Sequence, residues 1–78
     1  MASDKIKDLT QQQMTILERV VQGKTNYVIA CDLGISERTV KCHVNKIHEH
    51  LGVHNRTAAA VAYLKYLNPG MKTNALGM

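Results

Sequence analysis

At 78 residues the chain is one small domain, and a domain of this size buries only about 60% of its unfolded surface, which leaves little room for a walled catalytic cleft. Ten Lys and Arg against six Asp and Glu give a net charge of +4, and 45% apolar residues are too many for a disordered tail. The composition describes a folded basic domain and argues against an enzyme.

In chain order, residues 1–8 are polar, lack the apolar region of a secretory signal, and are expected as a flexible segment. Thr10 with Gln13 three residues on has the capping-box form and precedes Ile16, Leu17, Val20 and Val21 at helical spacing. A first helix is expected over 10–22, with Gly23 as its stop. Thr25 or Asn26 caps a short second helix carrying Ile29, Ala30 and Leu33, closed by Gly34. After Ser36, another good cap, Val40, Val44, Ile47 and Leu51 recur at i, i+4, i+7 and i+11, so a third helix runs from about 37 to 51 and ends at Gly52. Asn55 caps a fourth, about 56 to 67, which Asn68-Pro69-Gly70 stops, and 68–78 is expected as a flexible tail. No run alternates with the period of a strand, so the class is all-α, without winged elements. With Tyr27, Tyr63 and Tyr66 as the only aromatics, the core must be aliphatic. The longest apolar stretch, around Ala58 to Leu64, is far short of the ~20 residues that cross a bilayer. Two cysteines, Cys31 and Cys42, are fewer than a disulfide-held secreted domain carries, so both are read as free thiols in a cytoplasmic protein.

Charge divides unevenly: residues 1–37 hold four bases and five acids, net −1, whereas residues 38–78 hold six bases and one acid, net +5. All four histidines (His43, His48, His50, His54) lie in the basic half, and with ordinary pKa near 6.5 they would strengthen polyanion binding in mild acid. A short helix, a Gly-containing turn and a longer helix with one apolar stripe make a helix-turn-helix, which offers its second helix to the major groove of DNA. At 100° per residue the apolar stripe leaves Arg38, Lys41, Cys42, Asn45 and His48 on the far side. Lys donates to guanine O6 and N7, Asn pairs bidentately with adenine, and a small group such as the Cys42 side chain touches a thymine methyl. Thr39, His43 and Lys46 lie on the flank, where such groups meet phosphates. The start of the second helix at Thr25-Asn26, with free backbone N–H groups, is a second phosphate anchor.

Leu9-Thr10, Ile16-Leu17, Gly23, Asn26, Ile29-Ala30, Leu33-Gly34-Ile35-Ser36, Thr39-Val40-Lys41, His43-Val44, Ile47, Leu51-Gly52-Val53 and Asn55-Arg56 together resemble the LuxR-type (GerE/FixJ-type) DNA-binding domain over about residues 9–67. The resemblance implies a four-helix domain of bacterial transcription regulators, with the third helix in the major groove and the fourth as a dimer contact. On that pattern Lys41, Cys42 and Asn45 face bases, with Arg38 beside them, while Thr25, Thr39, His43 and Lys46 lie at or near phosphates. This chain departs from the family at Gln12-Gln13-Met14-Thr15, where acidic residues are usual, and at Tyr27-Val28, where Lys-Glu is usual. Tyr27 is expected to be partly packed. Receiver or ligand-binding modules commonly accompany this domain, so the chain reads either as a small stand-alone regulator or as the carboxyl-terminal part of a larger one.

The fourth helix is apolar almost all round and must be covered on more than one side. Thr57, Ala60, Val61 and Leu64 are expected to meet the core, and Ala59, Ala62, Tyr63 and Tyr66 to form a symmetric dimer contact. Pairing would set two copies of the third helix about 34 Å apart and select an inverted repeat. That patch is small enough for pairing to occur only on DNA, and RNA polymerase is a candidate further partner. Against a metal site, Cys31 and Cys42 are eleven residues apart and Gly52 breaks the helix between His50 and His54, so no metal or other cofactor is expected. Catalysis by Cys42 would need a base in a cleft, and His43 points about 100° away from it. The serious rival is a protein-interaction module that pairs through the fourth helix with another regulator and blocks it.

Overall fold

The computed structural model describes residues 5–68, and among these the long elements are all α-helices: α1 (Gln11–Val21), α2 (Asn26–Leu33), α3 (Glu37–Leu51) and α4 (Arg56–Leu67). A 3-10 turn at Ile6–Asp8 precedes them, and no strand or wing occurs among the described residues. The expected all-α architecture is the observed one. Of the flexible tails expected at 1–8 and 68–78, residues 1–4 and 69–78 lie outside the described residues.

Each helix begins where a side chain takes over an orphan backbone donor. Thr10 and Gln13 form both halves of the capping box at 3.1 Å, and the side chains of Thr25, Ser36 and Asn55 accept from the N–H groups of Val28, Thr39 and Ala58. A cap of this kind contributes about 1 kcal/mol. The helix-turn-helix corner depends on how α2 ends. Gly34 has φ +68°, and the turn closes with the Ile35 N–H donating to the Ala30 carbonyl at 3.1 Å. The backbone at that position is left-handed, which glycine adopts without a Cβ penalty. Ile35 then folds back onto the core. Gly52 (φ +70°) ends α3 in the same way, with Val53 folded back in its turn.

Helix α3 is the centre of the domain: it packs against α1, α2 and α4, and α1 also packs against α4. Its stripe of Val40, Val44, Ile47 and Leu51 is buried against Ile16, Leu17, Val20, Ile29 and Ala30. Full burial of an aliphatic side chain stabilises by about 1.5–3 kcal/mol, so this stripe fixes the orientation of α3 about its own axis. The free face of α3 is thereby set as well.

Packing corrects four expectations. The domain does not start at residue 9: Ile6 is fully buried, and the His50 imidazole Nε2 lies 2.9 Å from the Lys5 carbonyl, tying the amino-terminal turn to the end of α3. The core is not wholly aliphatic, because Tyr63 is buried in it and its hydroxyl donates to Glu18 Oε2 at 3.2 Å. The two sides of α4 are exchanged. Ala59, Ala62 and Tyr63 are 1%, 6% and 9% exposed within the single chain, so they cannot form a dimer contact, while Thr57 is exposed and Ala60, Val61 and Leu64 are half-buried. The reason is steric: alanines let α4 lie close to α1 and α3, and only from that side does Tyr63 reach Glu18. Tyr66 remains 38% exposed beside Tyr63, with ring centroids 6.4 Å apart. Finally, Tyr27 is not packed but 64% exposed.

Candidate nucleic-acid interface

The outward face of α3 follows from its buried one. With Val40, Val44, Ile47 and Leu51 pointing inward, Cys42 lies nearly opposite the core, flanked by Arg38 and Asn45 on one side and Lys46 on the other. Lys41 lies toward the edge of this face, and all five side chains are exposed. The face therefore offers three cations, one carboxamide and one thiol over about two and a half turns. Both cysteines are free and exposed.

The flank is more constrained. Thr39 is half-buried, with its hydroxyl 2.8 Å from that of Ser36, so the cap of α3 orients it. His43 is half-buried too, with Nδ1 enclosed and unbonded among the described residues. His48 does not belong on the outer face. It is half-buried at the junction with α4, and burial first, then the nearby Arg56 charge, push its pKa below the ordinary histidine value. It therefore takes up a proton less readily than a free histidine and withdraws from the expected acid-strengthened set. Glu49, the one acid of the basic half, is exposed one turn beyond Asn45 and sets an acidic limit to the cationic surface. Asn45, His48 and Glu49 also line a shallow groove with Gly52, Val53 and His54.

At the start of α2, Thr25 is exposed and its hydroxyl caps the helix. The Asn26 side chain has a tertiary partner. Its side-chain oxygen accepts from Arg56 Nη1 at 2.8 Å, while Arg56 Nη2 donates to the Lys24 carbonyl at 2.9 Å. The Asn26 side chain thereby ties α2 to α4, whereas the anchor expected at Thr25-Asn26 uses backbone N–H groups. The backbone N–H groups of the first turn of α2 are unaffected by that tie. One signal in the sequence pointed to this contact: Arg56 sits at the amino end of α4, where the helix dipole disfavours a cation, so a tertiary partner was needed. Among the described residues no group of three or more His, Cys, Asp or Glu could hold a metal ion, and no helix is long and apolar enough to cross a membrane.

A short helix, a three-residue glycine turn and a longer helix with a cationic free face make a helix-turn-helix. The family model for bacterial regulatory proteins of the luxR family matches residues 7–63. The chain belongs to the LuxR family. It is 43% identical over 61 residues to the glycerol metabolism activator of Pseudomonas putida, covering 78% of this chain and 28% of that protein. To the nitrate/nitrite response regulator protein NarP of Escherichia coli K12 it is 37% identical over 62 residues, 80% of this chain and 29% of the relative. The spore germination protein GerE of Bacillus subtilis is 40% identical over 57 residues, and there the match covers 73% of this chain and 77% of the relative. The chain thus spans under a third of the length of the first two relatives and most of the third. No solved structure matches the chain. LuxR-family membership implies DNA binding by a transcription regulator, and the relatives are regulators rather than enzymes.

Proposed function

We propose that this LuxR-type domain binds double-stranded DNA sequence-specifically, with α3 in the major groove. The observation that carries the reading is the division of α3 into a wholly apolar buried stripe and an exposed face of Arg38, Lys41, Cys42, Asn45 and Lys46. Lys41, Cys42, Asn45 and Arg38 are assigned to base edges, where Lys and Arg donate to guanine, Asn pairs with adenine and the Cys42 side chain meets a thymine methyl. Lys46, Thr39 and His43 are assigned to phosphates beside the groove, and the capped start of α2 at Thr25 to a phosphate on the facing strand, through its backbone N–H groups. Asn26 serves there through its backbone, its side-chain oxygen being held by Arg56.

Pairing is assigned to the outward side of α4, where Thr57, Val61 and Leu64 share one face with Ala60 at its edge. Two copies joined there, with their α3 helices about 34 Å apart, would read an inverted repeat. The face is modest, which suits pairing that occurs on DNA. A regulator seated at such a site works at the nucleoid in the cytoplasm, beside RNA polymerase. One observation favours a second reading, a module that blocks another regulator: Tyr66 and Leu67 at the end of α4 are 38% and 52% exposed. A gel shift with random duplex DNA at low salt, followed by selection of the bound fraction, tests between them. The DNA-binding reading expects a shift and enrichment of an inverted repeat; an unshifted duplex sinks it and leaves the blocking module.

A further inference from the structure

The Arg56 guanidinium spans the two residues that flank the α2 cap. Nη1 donates to the Asn26 side-chain oxygen at 2.8 Å and Nη2 to the Lys24 carbonyl at 2.9 Å, across 30 and 32 residues of sequence. Between them sits Thr25, whose hydroxyl accepts from the Val28 N–H. Arg56 is the first residue of α4, whose first turn holds no acid to offset the charge. The fork therefore holds Lys24, Thr25 and Asn26 in one arrangement relative to α4, and through α4 relative to α3. A planar fork with two fixed donors does this; an ammonium on a flexible stem does not.

We infer that Arg56 is a positioning residue for DNA binding, holding the start of α2 in register with the reading face of α3 without itself touching DNA. This rests on the reading of α3 as the groove helix and of the α2 amino end as a phosphate anchor. Two phosphate-facing elements on separate helices gain affinity together only if their spacing is set before binding, since ordering them on the duplex costs part of the interaction. Arg56 sets that spacing. It also connects the anchor to α4, so pairing through α4 and grip on the backbone share one rigid unit.

The experiment compares the unaltered chain, Arg56→Lys, Asn26→Ala and the double variant on a duplex selected by the unaltered chain, across a salt series, with circular dichroism to follow the fold. Arg56→Lys is expected to keep the helical spectrum and to lose about tenfold in affinity, with the dependence of affinity on salt unchanged. Asn26→Ala should lose affinity likewise, and the double variant should be no weaker than the weaker single one, because both remove one contact. Should Arg56→Lys fail to fold, Asn26→Ala, which leaves the charge in place, decides alone: undiminished affinity overturns the inference. Equal affinity in Arg56→Lys and the unaltered chain also overturns it. So does a salt dependence reduced by about one phosphate's worth in Arg56→Lys, which would make Arg56 a direct DNA contact. Additive losses would separate Arg56 from Asn26 and defeat it too. If the unaltered chain itself binds no DNA, it is the proposed function that fails, and the two failures are told apart in one gel.

Discussion

Helices α3 and α4 have 15 and 12 residues and both bury side chains in the same core. They carry their information differently. In α3 the aliphatic positions form one narrow stripe and, apart from Cys42, everything else is polar, so its inner and outer faces are separated by chemistry before any contact is made. In α4, Ala58, Ala59, Ala60, Val61, Ala62 and Leu64 spread around the axis. No face stands out, and the side that enters the core is chosen by fit: Ala59 and Ala62 permit close approach and Tyr63 finds Glu18. A helix with one stripe specifies its own orientation, whereas a helix apolar on all sides leaves that to its neighbours.

The substitution that bears hardest on this contrast is Ala62→Glu. On the buried side of α4 it places an unpaired carboxylate where there is room for a methyl group, and loss of about 3–5 kcal/mol is expected, enough to unfold a domain of this size. Val61→Glu, one position earlier but on the outward side, should leave the thermal transition within a few degrees of the parent while abolishing cooperative binding to a two-half-site duplex. If Ala62→Glu melts with the parent, the assignment of faces in α4 is wrong.

Next in size are the α3 residues proposed to meet base edges. Lys41→Ala and Asn45→Ala should each cost about 1–3 kcal/mol of discrimination at one base pair, seen as relaxed preference in selected sequences; unaltered preference in both would remove them from the base edges. Tyr63→Phe, which keeps the ring and deletes the hydroxyl donated to Glu18, should lower unfolding stability by about 1 kcal/mol, read from urea titration. A neutral result would mean that packing alone seats α4. Lys46→Ala should weaken all duplexes alike and flatten the log–log salt dependence by about one unit, so a loss confined to one sequence would move Lys46 to a base.

The smallest effect belongs to the junction of the two helices. Burial, then Arg56, lower the pKa of His48 in the folded chain, so the unfolded chain binds the proton more readily. This contribution to stability is present above the unfolded histidine pKa of about 6.5 and is lost as pH falls through it toward the folded value. His48→Gln should therefore show a shallower decline of melting temperature just below that pH than the parent. An equal decline would place the acid sensitivity elsewhere.

Local rules made much of this chain legible by themselves. Thr10 with Gln13, Ser36 and Asn55 marked helix starts, Gly34 and Gly52 marked ends, and a single stripe oriented α3, because each depends on residues within a few positions of one another. Contacts between distant residues lay beyond that reach. Ile6 enters the core through an amino-terminal turn that no helical period announces, and His50 holds that turn 45 residues away in sequence. Tyr63 and Glu18 are also 45 residues apart, and Arg56 and Asn26 are 30 apart. Which side of α4 is buried, and what the Asn26 side chain holds, were decided only when the helices met, since shape and hydrogen-bond partners supplied by one helix to another leave no periodic trace in either.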